Sequence, residues 1–185
     1  MIQEVINQAR HEMEKSIEAL SSDLGSIRTG RASTSLVDKI RVEYYGTATP
    51  LQQLALISVP EAQLITIRPY DPGAIKEIER ALLQSDLGIT PNNDGKLIRL
   101  QIPSLTEERR KTLAKSAHAR VEEARVSIRN HRRDALEDLR ELEKEKMISE
   151  DDFYGSKDDL QELTDEFIKK AGEIGAAKEE EIMSL

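Results

Sequence analysis

For 49 residues, from Thr106 to Tyr154, the chain contains neither proline nor glycine. Nothing in that run breaks a helix, since proline would remove a backbone donor and clash with the preceding turn. Thr106 is a good N-cap, and Glu107 and Glu108 place negative charge in the first turn, where the helix dipole favours it. Leu113, Ala117, Val121, Ala124, Ile128, Ala135, Leu139 and Leu142 keep one apolar seam at three- and four-residue spacing. The pattern predicts a single helix from 107 to about 147, roughly 60 Å long at 1.5 Å per residue. A helix with one apolar face is not stable alone, so the rest of the chain must cover that seam.

Two other segments can do so. Ile2, Val5, Ile6, Ala9, Met13, Ile17, Leu20, Leu24 and Ile27 share one helix face, and the pattern ends near "RTGRAS", where Gly30 can stop a helix. "SEDD" at 149–152 reads as the cap of a third helix whose buried face is Leu160, Leu163, Phe167, Ile168, Ala171 and Ile174. Gly172 and Gly175 fall inside that helix at about 1 kcal/mol each, and are expected to soften or kink it. Three one-faced helices satisfy one another as an antiparallel three-helix bundle. With 34% charged and 3% aromatic residues, the chain suits long exposed helices better than a thick core.

The middle has a different texture. "KIRVEYYG", "QLITIRP" and "KLIRLQIP" alternate apolar and polar residues and read as strands. "DPGAIKEIERALLQSDLG" reads as a helix, with Asp71 as N-cap, Pro72 in its first turn and Gly88 at its end. "PNNDG" at 91–95 is a turn into the last strand. The fold class expected is α+β. A discontinuous helical domain, residues 1–30 and 105–185, carries an inserted small α/β domain, residues 31–104. Two short crossings suggest a hinge formed by Gly30 and Arg31 on one side and Ser104, Leu105 and Thr106 on the other.

Formal charge is −8, so the molecule as a whole has no attraction for polyanions. Residues 109–133 nevertheless hold nine Lys or Arg against two carboxylates, and seven of the nine are arginine. At about 100° per residue, Arg110, Arg125, Arg129, Arg132 and Arg133 fall in one arc beside the apolar seam, with Lys111, Lys115 and His118, while Arg109 and Arg120 fall outside it. A solvated face with i,i+4 pairs is the plain alternative. Few acids lie within pairing reach, however, and the planar arginine fork suits bidentate phosphate contact. Without aromatics in the stripe, backbone recognition of structured RNA or DNA is favoured over base stacking.

Other classes are excluded or unsupported. There is no cysteine, hence no disulfide or thiolate site. "MIQEVINQARHEMEKS" is charged every few residues and reads as neither a signal peptide nor a membrane span, so a cytoplasmic, soluble protein is expected. No G-x-x-x-x-G-K-[ST] occurs, and "DGK" at 94–96 is a turn. His11, His118 and His131 lack metal-ligand spacing; His118 and His131 read as surface residues of the long helix. Asp151 and Asp152 read as helix-start charges. No catalytic residue, metal or cofactor is expected.

Several motifs together resemble one family. "IRTGRAS" (27–33), "VEYYGTATPLQQLA" (42–55), "SDLGI" (85–89), "PSLTEERRK" (103–111), "ARVSIRNHRRDAL" (124–136) and "LTDEFIKK" (163–170) are similar, in order and over nearly the whole chain, to ribosome recycling factor. The resemblance implies an L-shaped two-domain monomer that binds the post-termination ribosome and, with elongation factor G and GTP, splits it into subunits. It implies contact between the helical domain and large-subunit ribosomal RNA, and between the small domain and the GTPase. Carried onto this chain, the RNA contacts would be Arg129 and Arg132 first, then Arg110, Arg28 and Arg31, with Arg125 and Arg133 on the same stripe. "DFYGSKDD" (152–159), with Gly155, and the glycines of "KKAGEIGAAKEEE" depart from the family pattern. A general RNA chaperone and a dimeric coiled-coil scaffold are the alternative readings.

Overall fold

The computed structural model describes residues 1–184. The chain separates into two compact units, one of residues 1–28 and 107–184, the other of 29–106. Each crossing between them therefore lies two residues away from the boundaries drawn from the sequence.

The first unit consists of three helices, α1 (Ile2–Gly25), α4 (Glu107–Lys144) and α5 (Glu150–Met183). Each packs on the other two. Residue pairs fix their directions. Ser16 meets Ser127 and Asp23 faces Arg120, so α1 and α4 run antiparallel. Gly172 lies against Arg125 and Gly175 against Val121, while Arg140 stacks over Phe153, so α4 and α5 are antiparallel as well. The seam is buried as its spacing requires: Met13, Leu20 and Leu24 from α1, Val121, Ile128 and Leu139 from α4, and Leu160, Leu163, Phe167 and Ala171 from α5.

Helix ends differ from the sequence expectation for local reasons. α1 stops at Gly25, because the Ser26 hydroxyl donates to the Asp23 carbonyl and the Ser26 amide closes on Ser22. Gly30 is not its terminator; it sits five residues further on at φ +74°. α4 ends at Lys144, three residues early, and Lys146 at φ +59° turns the chain toward α5. α5 opens on a capping box, in which Ser149 Oγ accepts from the Asp152 amide at 3.0 Å and Asp152 Oδ2 accepts from the Ser149 amide at 3.1 Å. It runs unbroken past Gly155, Gly172 and Gly175, contrary to the expected kink.

The second unit holds two antiparallel sheets. β1 (Arg41–Tyr44) and β2 (Thr47–Pro50) form a hairpin whose two-residue turn, Tyr45–Gly46, has both φ values positive. A one-turn helix α2 (Leu51–Leu54) leads into β3 (Ala55–Glu61), which pairs with β4 (Leu64–Pro69). Asp71 caps a 3-10 turn at Pro72–Ala74 before α3 (Ile75–Gln84) begins. β5 (Asn92–Asn93) and β6 (Ile98–Gln101) complete a four-stranded sheet in the order β3-β4-β6-β5. Val42, Leu51, Ile65, Ile67, Ile78, Leu82, Ile98 and Leu100 form its core. The sequence reading missed β2, β3 and β5. β3 carries Pro60 and lies at the sheet edge, where a missing amide donor is tolerated but the strand signal is weakened.

Both crossings are tied down inside this second unit. The Ala32 amide donates to Ala62 O, the Ile102 amide to Gln63 O, and Gln63 Nε2 to Ser104 Oγ. A Cβ on Gly30 would stand 3.2 Å from Leu105 Cγ and 3.5 Å from the Pro103 carbonyl, so the left-handed glycine lets the two crossings run side by side.

Candidate nucleic-acid interface

Six turns of α4 separate Arg110 from Arg132, about 33 Å of helix. Along that length the apolar seam is broken once. Between Ile128 and Ala135 the positions that would continue it hold His131 and Arg132. Arg132 is accordingly half-buried. Arg129, one turn back, is exposed. Among the described residues no carboxylate engages either guanidinium. Both forks are therefore available to an external anion.

The other candidates are held differently. Arg110 is half-buried near the start of α4, with its Nε out of solvent, and among the described residues it has no acceptor for that Nε and no carboxylate partner. A cation in the first turns of a helix opposes the dipole, so stability does not explain it there. Arg133 donates from Nη2 to Asn130 Oδ1 at 2.6 Å and remains exposed. Arg125 donates from Nη1 to Glu122 Oε1 at 2.6 Å, keeps its Nε buried with no acceptor among the described residues, and lays Nη2 over Gly172. Arg28 is exposed but lies three residues beyond the end of α1, so it is not carried on that helix. Arg31 belongs to the second unit, with Gly30, Ser104, Leu105 and Thr106.

The flanking charges are mostly neutralised locally. Lys111 pairs with Glu107 at 2.9 Å across one turn. Arg120, outside the basic arc, faces Asp23 of α1 at 3.8 Å. His131 is half-buried, where His118 is exposed. It sits in a groove of about 290 Å³ between α1 and α4, with Nε2 3.3 Å from Ser127 Oγ, which in turn lies 2.9 Å from Ser16 Oγ. Spacing along one helix could not reveal this, because the groove is made by the second helix.

The arrangement is a rigid helical edge that presents unpaired arginine forks from a protein whose net charge is −8. Such an edge can grip phosphates at fixed separations, with sequence-independent, salt-dependent affinity. Among the described residues no helix is long and apolar enough to cross a membrane.

A family model described as "Ribosome recycling factor" matches residues 20–183. The ribosome-recycling factor of Chloroflexus aggregans is 53% identical over 185 residues, covering 100% of both chains. A solution structure of the ribosome recycling factor superposes with a TM-score of 0.74 at 41% identity, covering 100% of this chain and 98% of that one. A second structure gives a TM-score of 0.64 at 42% identity, covering 99% of each chain. It presents models for the T. thermophilus ribosome recycling factor and the E. coli elongation factor G bound to the E. coli post-termination complex.

Proposed function

The chain belongs to the ribosome recycling factor family, and on that premise we propose that it binds the post-termination ribosome and, with elongation factor G and GTP, splits it into subunits for reuse. The observation that carries the reading at residue level is the pair of uncompensated guanidiniums of Arg129 and Arg132 on the family's matching helix. These two would hold large-subunit ribosomal RNA by its phosphates. Arg110 and Arg133 would extend the contact along α4, and Arg28 and Arg31 would add to it near the crossings.

The division of labour follows from the packing. Three helices sharing one buried seam make a stiff rod, suited to transmitting force. The second unit would meet elongation factor G and be driven by it. The turning point would fall at the boundary between the units, within two residues of the expected hinge of Gly30, Arg31, Ser104, Leu105 and Thr106. The protein itself would work as a cytoplasmic, non-enzymatic monomer, the chemistry being the GTPase's. A dimeric scaffold is disfavoured because the three seams are buried against one another.

The deciding experiment is light scattering of post-termination ribosomes mixed with this protein, with and without elongation factor G and GTP. Splitting is expected only with all components. No splitting under any condition refutes the proposal.

A further inference from the structure

Between Arg110 and Arg133 one carboxylate, Glu122, stands within the basic arc. Glu122 precedes Arg129 by seven residues, so at about 100° per residue their side chains leave α4 within roughly 20° of each other, two turns apart. Its side chain is 45% exposed. Left uncompensated, it would put negative charge beside the phosphates that Arg129 is placed to hold.

Arg125 answers that charge, and its surroundings leave it little else to do. Nη1 is 2.6 Å from Glu122 Oε1. Nε is buried and has no acceptor among the described residues. Nη2 lies over Gly172 of α5, where a Cβ would come within 2.9 Å of it. A bidentate grip on phosphate needs two adjacent donors on an open edge of the guanidinium. Here Nη1 is taken by Glu122 and Nε is out of solvent, so neither edge of the guanidinium offers two free donors. Among the described residues no carboxylate engages Arg129 or Arg132, and Arg129 is exposed.

We propose that Arg125 is an internal counter-charge for Glu122, seated over Gly172, and not itself a phosphate ligand. It is a positioning residue: it removes the one repulsive charge from the arc so that Arg129 and Arg132 can take the phosphates. Gly172 has a reason to lack a side chain, since Nη2 of Arg125 stands 2.9 Å from where a methyl group would be. The inference rests on reading α4 as a ribosomal-RNA surface.

The test is a double-mutant cycle read by affinity for isolated large ribosomal subunits over a salt series, with helicity followed by circular dichroism. Arg125→Ala is expected to weaken binding roughly three- to tenfold, the ordinary range for one charge interaction. Glu122→Gln is expected to bind at least as tightly as the unsubstituted protein. The double variant should return to within about twofold of the unsubstituted affinity, with the salt slope unchanged, because the arc is neutral again at that point. Gly172→Ala should weaken binding by displacing the guanidinium, and Glu122→Gln should restore it.

If Arg125 holds a phosphate, the double variant will stay as weak as Arg125→Ala and its salt slope will fall by about one. That result overturns the proposal, as does an Arg125→Ala variant that binds normally. Unchanged binding by Gly172→Ala overturns the seat. Arg132→Ala is the control for the premise: if it too binds normally, the RNA reading of α4 has failed rather than the role of Arg125.

Discussion

Val121 on α4 fills the space in front of Gly175 on α5, so closely that a Cβ on Gly175 would overlap the Val121 Cγ2 methyl. The three glycines of α5 differ in what faces them, and this sets an order of stabilities. Gly175→Ala should destabilise the bundle by about 1–3 kcal/mol, because a packed branched side chain has to move. Gly172→Ala meets only the tip of a flexible arginine and should be near neutral. Gly155→Ala meets nothing within 4 Å and should stabilise by about 1 kcal/mol through helix propensity. Urea midpoints of the three variants check the order; a Gly175→Ala protein as stable as Gly155→Ala would show that the helices do not approach this closely.

Arg129→Ala and Arg132→Ala should each weaken large-subunit binding and lower the salt slope by about one. Helicity should not change, since Arg129 is exposed and neither guanidinium anchors a carboxylate among the described residues. Filter binding at several salt concentrations, beside far-UV circular dichroism, separates lost contact from lost fold. A melted bundle with unchanged affinity would contradict the assignment.

Acid should loosen the second unit through Asp94. Its carboxylate accepts from the Leu97 and Lys96 amides at 2.9 Å and from Arg99 Nη1 at 2.8 Å, and these contacts, the backbone bonds foremost, hold its pKa at about 2 against an ordinary 3.8. Because the folded value is the lower one, the stabilisation is complete above 3.8 and is lost as pH falls toward 2. Asp94→Asn should therefore lower stability at pH 6 and lose less between pH 4 and pH 2 than the unsubstituted chain does. Parallel acid dependences in the two proteins would remove Asp94 from the account.

Ser149→Ala should cost about 1 kcal/mol, the usual value of an N-cap. The hydroxyl is also the first cause of the lowered pKa of Asp152, with the Ser149 amide second. Removing it should move the Asp152 carboxyl up toward the ordinary range, which a carbon-detected NMR titration would register. An unmoved Asp152 would mean that the backbone bond alone holds it.

Much of the architecture could be read from spacing. Leu113 through Leu139 mark the buried line of α4 correctly because a 3.6-residue period projects onto one face whatever that face meets. "SEDD" marked the start of α5 because a capping box is made within four consecutive residues. β3 was not legible, since an edge strand with Pro60 loses the alternation that a half-buried strand shows. The end of α1 was misplaced because Ser26 closes the helix through bonds that its residue type alone does not announce.

The sequence by itself determined that one edge of α4 would be cationic, since that follows from residue order and helix period alone. On a helical wheel Arg125, Arg129 and Arg132 are near-equivalents. Only the tertiary structure distinguishes them, because the difference comes from α5. Gly172 leaves room beside α5 for Nη2 of Arg125, whose Nε is out of solvent and whose Nη1 is held by Glu122, while Arg129 is exposed. Periodicity reports which way a side chain leaves its own helix; what it finds on arrival depends on residues far away in the chain.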